Sequence, residues 1–370
     1  MNRKDNRNAV LGDLYQFQYG TGNTIEDIGG DYPIYGSNGA VGFTNIYNSE
    51  DAPVIGHIGA YAGIVNWASG KHFVTYNGVI CKIKDGVNPK FGYYSLLNSG
   101  LQKRLRGSTQ PFVSYDLLDE VKTYLPDKKI QDNIANTLSE IDAKIELNNK
   151  INSELEQMAK TLYDYWFVQF DFPDENGKPY KSSGGEMVLN KELKRKIPKD
   201  WEVKRLKDIL PVITGKKDAN FASTNGQYNF FTCGEEILKC DSYEFEGKAV
   251  LVAGNGNFNI KLYDGKFNAY QRTYILIPSE KKYYTLVYMA VRDRIASLTK
   301  GSRGSIVKFI TKGDLEDIQI PLPKDRNLNV FSQLNTITKK IEKNLEENQQ
   351  LGELRDWLLP MLMNGQVSIK

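Results

Sequence analysis

The sequence predicts an α+β protein. Two mixed α/β globules stand in tandem, each followed by a long helix, and the helices pair as an antiparallel coiled coil about a pseudo-twofold axis. Three observations predict this. Leu11-Gly12-Asp13-Leu14 running to Gly20 recurs as Leu206-Lys207-Asp208-Ile209 running to Gly215. Gly107-Ser108 with Phe112 recurs as Gly304-Ser305 with Phe309, and Leu125-Pro126 recurs as Leu322-Pro323. After each copy, apolar residues fall at alternating steps of four and three, the spacing of a coiled-coil seam. A repeat of this length fixes the architecture before any motif is read.

Residues 1–126 form the first globule. They are dense in Gly, Tyr, Val and Ile, with turn signals such as Ser37-Asn38-Gly39 and Tyr76-Asn77-Gly78. Pro53-Val54-Ile55 and Val79-Ile80-Cys81-Lys82-Ile83 read as strands, and Phe91 through Leu105 as a helix. Residues 201–323 repeat the order: Ala249-Val250-Leu251-Val252 and Tyr274-Ile275-Leu276-Ile277 are the strands, and Tyr284 through Ile295 the helix. Residues 127–168 and 324–370 are the two long helical segments. Residues 169–200 join the copies, and their Gly- and Pro-rich start, Phe172 to Gly185, reads as an extended connector. Trp201 is placed to anchor the second globule.

The first seam runs Ile134, Leu138, Ile141, Ile145, Asn148, Asn152, Leu155, Ala159, Leu162 and Trp166. The second runs Val330, Leu334, Ile337, Ile341, Asn344, Asn348, Leu351, Arg355, Leu358 and Leu362. Both carry two asparagines at matched central positions. A buried amide costs stability unless partnered, and contributes register when another asparagine meets it. An axis between the asparagines sets Asn148 opposite Asn348 and Asn152 opposite Asn344. A helix of about 40 residues spans about 60 Å, which would set the globules at opposite ends of a rod. The alternative is an intermolecular coiled coil in a homodimer.

The 370 residues carry a net charge of +3, with no apolar run long enough to span a membrane and no apolar signal core at the N-terminus. A cytoplasmic protein is expected. Cys81, Cys233 and Cys240 form no metal-binding spacing and read as free thiols. Residues 201–323 alone are basic as a block, with 18 basic and 14 acidic side chains against 11 and 11 in residues 1–126. There is no phosphate-binding Gly-x-x-x-x-Gly-Lys-Ser/Thr loop and no Asn/Asp-Pro-Pro-Tyr/Phe methylation motif. Gly254-Asn255-Gly256 lacks the third glycine of a dinucleotide fingerprint, and Asp174-Glu175 with Lys178 sits in a connector without a rigid frame. No catalytic residue and no metal site is assigned.

Local sequence is similar to the DNA specificity subunit of type I restriction-modification systems. The likeness rests on Leu155-x-x-Met158-Ala159-x-x-Leu162-x-x-x-Trp166-Phe167, on the connector Phe172-Pro173 to Gly185, on Ile197-Pro198-x-x-Trp201, and on Leu358-x-x-x-Leu362-x-x-Gly365. The chain starts almost at its first recognition domain, a departure that circular variants of the family's repeat order accommodate. The resemblance implies a non-catalytic subunit whose two target recognition domains each read half of a bipartite, asymmetric double-stranded DNA site. The helices would fix the spacing and bind two modification (methyltransferase) subunits, in which S-adenosylmethionine is expected. A restriction (endonuclease and translocase) subunit would complete the assembly. This chain itself would need no cofactor. The rival reading is a single-chain endonuclease acting on a bipartite site.

Candidate DNA contacts come from matched loops. Phosphate contact suits Lys216 and Lys217, with Asn23 in the uncharged counterpart loop, and Lys103, Arg104, Arg106 and Ser108, matched by Lys300, Ser302, Arg303 and Ser305. Base reading needs planar or bidentate groups. His57, Tyr61, Tyr76 and Asn77 offer them in the first copy, and Asn255, Asn257, Asn259, Gln271 and Arg272 in the second. Arg272 suits guanine, and Asn or Gln suits adenine. Each of these also has an ordinary reading, as a solvated charge, a packed tyrosine or a turn asparagine.

Overall fold

The computed structural model describes residues 9–22, 26–301, 309–325 and 328–367. It divides into two bodies, residues 1–147 with 347–370 and residues 148–346.

The first body opens with β1 (Ala9–Val10), α1 (Leu11–Leu14), β2 (Tyr15–Tyr19), β3 (Tyr32–Gly36), β4 (Gly39–Thr44), β5 (Ser49–Gly56), β6 (Val65–Val74) and β7 (Gly78–Ile83). It continues through α2 (Pro89–Asn98), α3 (Tyr115–Glu120) and β8 (Lys122–Thr123) into the start of α4 (Lys128–Tyr163). The second body takes the rest of α4, then β9 (Met187–Asn190), β10 (Arg195–Pro198), β11 (Trp201–Arg205), α5 (Leu206–Ile209), β12 (Val212–Thr214), β13 (Tyr228–Phe231) and β14 (Leu238–Cys240). There follow β15 (Phe245–Ala253), β16 (Ile260–Ala269), β17 (Thr273–Leu276), α6 (Tyr284–Gly301), α7 (Lys312–Glu316), β18 (Gln319–Pro323) and the start of α8 (Asn329–Met363), whose end returns to the first body.

Each body holds a six-stranded sheet, and the two orders match strand for strand: β2-β7-β5-β6-β3-β4 and β12-β17-β15-β16-β13-β14. Each contains one parallel pair, β3 with β6 and β13 with β16, in an otherwise antiparallel sheet. Alternation along the central strands sorts side chains to opposite faces. In β15, Val250 and Val252 enter the large core beneath α6, while Ala249 and Leu251 enter a smaller core with Phe267. In β5, Ile55 joins the core beneath α2, and Val54 joins Ile80 on the far face.

Helix α2 begins as its sequence dictates. Asn88 accepts from the Lys90 and Phe91 amides at 2.9 and 3.0 Å, and Pro89 follows at the first helical position. The expected helix from Phe91 to Leu105 stops earlier, at Asn98. Gly100 takes a φ of 63°, and only a single tight turn, Leu101–Lys103, follows. The expected connector is not simply extended either. Phe172 stacks on Trp166, Tyr180 and Trp201 at 4.9–5.3 Å, and β9 pairs with β10. Trp201 is 7% exposed and also meets Phe167 and Phe170 edge-on, so it does anchor the second globule.

The long helices run antiparallel within each body. In the first, Ile134 shares a core with Leu362, and the Arg355 guanidinium bonds Asp142 at 3.0 Å, which compensates for an arginine at a seam position. In the second, Ala159 shares a core with Phe331 and Leu334. There Asn344 donates to Asn152 at 2.8 Å, both amides being buried. Asn148 is buried in the second body and Asn348 half-buried in the first. Replacing Asn152 or Asn344 alone by Leu is expected to cost about 1–3 kcal/mol, because the partner amide is left buried and unmatched. The double replacement recovers most of that loss. A double-mutant cycle in urea checks this, and additive single effects would contradict the pairing.

A buried histidine gives the first body a pH dependence. His72 in β6 is shut from solvent, its Nδ1 lies 2.9 Å from the Gly70 carbonyl, and its Nε2 has no partner. Burial holds its pKa below the ordinary 6.5. The unfolded chain therefore takes up the proton first as pH falls. The stability from keeping this ring neutral is complete above about 6.5 and is lost as pH falls towards the folded value. Melting of the wild type should drop more steeply between about pH 7 and pH 5 than that of His72→Phe, and parallel slopes would contradict it.

Candidate nucleic-acid interface

At corresponding edges of the two sheets, one set of backbone hydrogen bonds is built twice. In the first body, Gly20 N donates to Gly78 O at 2.9 Å, Tyr76 N to Gly22 O at 3.1 Å and Thr75 N to Tyr35 O at 3.0 Å. In the second, Gly215 N donates to Thr273 O at 3.0 Å, Gln271 N to Lys217 O at 3.0 Å and Tyr270 N to Phe231 O at 2.8 Å. His57 N bonds Asn77 O at 2.9 Å as Gly254 N bonds Arg272 O at 2.9 Å. The next layer repeats as well, with Val113 N on His57 O and Ile310 N on Gly254 O. Even the side-chain donor to the turn carbonyl recurs: Ser37 Oγ to Asn77 O at 2.6 Å and Cys233 Sγ to Arg272 O at 3.3 Å.

This frame assigns counterparts. Tyr76 answers Gln271, Asn77 answers Arg272, and Gly22 answers Lys217. Ile58 and Asn255 answer each other, since each bridges to its Phe112 or Phe309. The same frame sets His57 against Gly254.

The frames match but their side chains do not. In the first body Tyr19 stacks on Tyr115 at 4.0 Å and lies against His57 at 4.4 Å, and Tyr76 meets the imidazole edge-on at 5.4 Å. His57 is buried, its Nδ1 3.2 Å from Tyr76 O, so it supports this turn from below. Burial raises the Tyr19 and Tyr115 phenols above their usual range. Tyr61, Tyr76 and Asn77 are exposed. Tyr19 and Tyr115 were not singled out from sequence, since only folding brings residues so far apart into one stack.

In the second body Gln271 and Arg272 are exposed at the turn, beside the half-buried Asn255. Phe309, 63% exposed, and Lys312 line the same groove. Lys312 opens α7 where Tyr115 opens α3, a counterpart the sequence reading passed over. Asn257 and Asn259 are engaged within the body: the exposed Asn257 donates to Glu235 at 2.8 Å, and the half-buried Asn259 donates to Cys233 O at 2.8 Å. Lys261 Nζ, 2.5 Å from the Asn259 oxygen, completes that network. Lys216 pairs with Glu244 at 2.5 Å, and the Lys217 ammonium lies 4.9 Å from the Phe221 ring centre.

Of the other basic candidates, Lys103, Arg104 and Ser108 are exposed. Arg104 Nε donates to Ser99 O at 3.3 Å, and Arg106 pairs with Asp116 at 2.5 Å. The nearby Ser114 hydroxyl and the bonded Arg106 guanidinium hold the Asp116 carboxyl below its usual pKa. Asn23, Ser302, Arg303, Ser305 and the side chain of Lys300 lie outside the described residues.

A family model described as the type I restriction modification DNA specificity domain matches residues 8–157 and 198–351, the two copies of this arrangement. The chain belongs to this family. Among proteins similar to it is the type I restriction enzyme EcoDI specificity subunit of Escherichia coli, 39% identical over 178 residues. That match spans 47% of this chain and 40% of the relative, well under half of its length. The MjaIX specificity subunit of Methanocaldococcus jannaschii is 28% identical over 317 residues, 78% of this chain and 71% of that one. The crystal structure of a type I restriction-modification system S subunit from M. genitalium shares the fold, with a TM-score of 0.64 and 19% identity over 98% of this chain and 97% of that one. Both matched ranges contain the doubled hydrogen-bond turn frame, residues 20–78 in the first and 215–273 in the second. Among the described residues, no helix is long and apolar enough to cross a membrane.

Proposed function

We propose that this chain is the DNA-recognition and scaffold subunit of a type I restriction-modification complex. Each body reads one half of a bipartite, asymmetric site. The antiparallel helices fix the spacing of the halves and carry two methyltransferase subunits, which hold S-adenosylmethionine. A restriction subunit joins for cleavage, and this chain contributes no catalytic group. The observation that carries the reading is the doubled hydrogen-bond frame with different side chains on it. One backbone solution presenting two chemistries suits two different half-sites, as paired readers at a set separation do in other DNA-binding proteins.

Purification of the tagged chain from its host is expected to bring down a DNA methyltransferase, with two copies per chain by native mass. The complex should bind DNA sequence-selectively and with strong salt dependence. The isolated chain, given plasmid, magnesium and S-adenosylmethionine, is expected to neither cut nor methylate. Cleavage or methylation by the chain alone would overturn the proposal in favour of a single-chain endonuclease.

A further inference from the structure

We propose that the second body reads a guanine in its half-site through the Arg272 guanidinium, and that the matching positions of the first body, which carry no cation, read a different base. This rests on the recognition role proposed above and names the base chemistry of each half.

The turn that carries Arg272 is fixed by Tyr270 N on Phe231 O at 2.8 Å, Gln271 N on Lys217 O at 3.0 Å and Thr273 N on Tyr270 O at 2.8 Å. Its own carbonyl takes both the Gly254 amide and the Cys233 thiol. The backbone is thus tied on every side, while the side chain is exposed and makes no hydrogen bond or ion pair among the described residues. An arginine whose root is rigid and whose fork is unengaged is prepared for a geometric contact, because little ordering remains to be done on binding.

The neighbours separate a base contact from a phosphate contact. Arg272 shares its groove with the neutral amides of Asn255 and Gln271, the Thr311 hydroxyl and the Lys312 ammonium, and no carboxylate lines it. The amides and the hydroxyl match base edges. The point charges suited to phosphate sit on Lys217, whose carbonyl receives the Gln271 amide, and on Lys312. A planar fork among neutral amides matches the O6 and N7 acceptors of guanine in the major groove. At the four matching positions of the first body stand Gly22, Tyr76, Asn77 and Tyr115, none of them charged at neutral pH.

Binding-site selection from a random duplex pool, using the full chain assembled with its methyltransferase subunit, tests this. The wild type is expected to return a G·C pair at one position of one half-site. Arg272→Ala should lower discrimination at that pair by about 5- to 150-fold and leave the other half-site unchanged. Arg272→Lys should behave like Arg272→Ala, since it keeps the charge but loses the fork. Asn77→Arg should add a guanine preference to the first half-site, an outcome independent of how the Arg272 variants fold. If Arg272→Ala weakens all sequences equally, or Arg272→Lys selects as the wild type does, the residue contacts phosphate and the inference fails while the recognition role stands. If Asn77→Arg alters no base preference, the two turns do not present equivalent positions to DNA and the inference fails. If the wild type selects no sequence, the recognition role itself fails.

Discussion

Gly215→Ala is expected to abolish sequence selection by the second body while the first still selects its half-site. Gly215 lies where β12 passes the turn after β16, and a methyl on its Cα would overlap the carbonyl oxygens of both Ala269 and Tyr270. These are backbone atoms of the frame that carries Gln271 and Arg272, so relief requires the frame to open. Overpacking against backbone costs about 3 kcal/mol, and the residues displaced are the ones proposed to read bases. Gly20→Ala repeats the experiment in the first body, where the methyl would overlap Val74 O and Thr75 O. Gly313→Ala is the control, since its added methyl would meet nothing nearer than Thr311 Oγ1 at 3.8 Å. Selected binding motifs for the three variants are the readout. A Gly215→Ala protein that still selects both half-sites would show that the frame is not what presents the reading residues.

Trp201→Ala is expected to cost about 3–5 kcal/mol of stability. The indole is enclosed by Phe167, Phe170 and Phe172, with ring centres at 5.3–5.6 Å. It also begins β11, which pairs with β18 from Trp201↔Pro323 to Arg205↔Gln319. Its removal leaves a cavity against Phe167, Phe170 and Phe172, whose rings are placed by one short stretch of chain and can only partly close on it. Chemical denaturation should show the second body unfolding at lower denaturant. A loss below about 1 kcal/mol would mean that the aromatic stack is not what holds the connector.

Much of this organisation is legible in the sequence, because the repeat constrains it twice. Gly20 and Gly215 stand in matching places, and the structure gives the reason: both sites lack room for a side chain. The seam is legible because period and polarity agree, and its asparagine match correctly pairs Asn152 with Asn344. Contacts made only by tertiary closure were not legible. The stack of Tyr19 on Tyr115, the bonds of Asn257 to Glu235 and of Asn259 to Cys233, and the ion pair of Lys216 with Glu244 depend on which loops meet, which no local pattern encodes. His57 reads as an outward donor by residue type, yet the stack buries it beneath Tyr76.

The most direct measurement is single-molecule sequencing of base methylation in cells expressing the chain together with its methyltransferase subunit. The predicted result is one bipartite motif with two different halves at a constant spacing. Exchange of residues 201–323 for the equivalent segment of another family member should change one half only. A continuous or palindromic motif, or a motif in which both halves change on that exchange, would contradict the account.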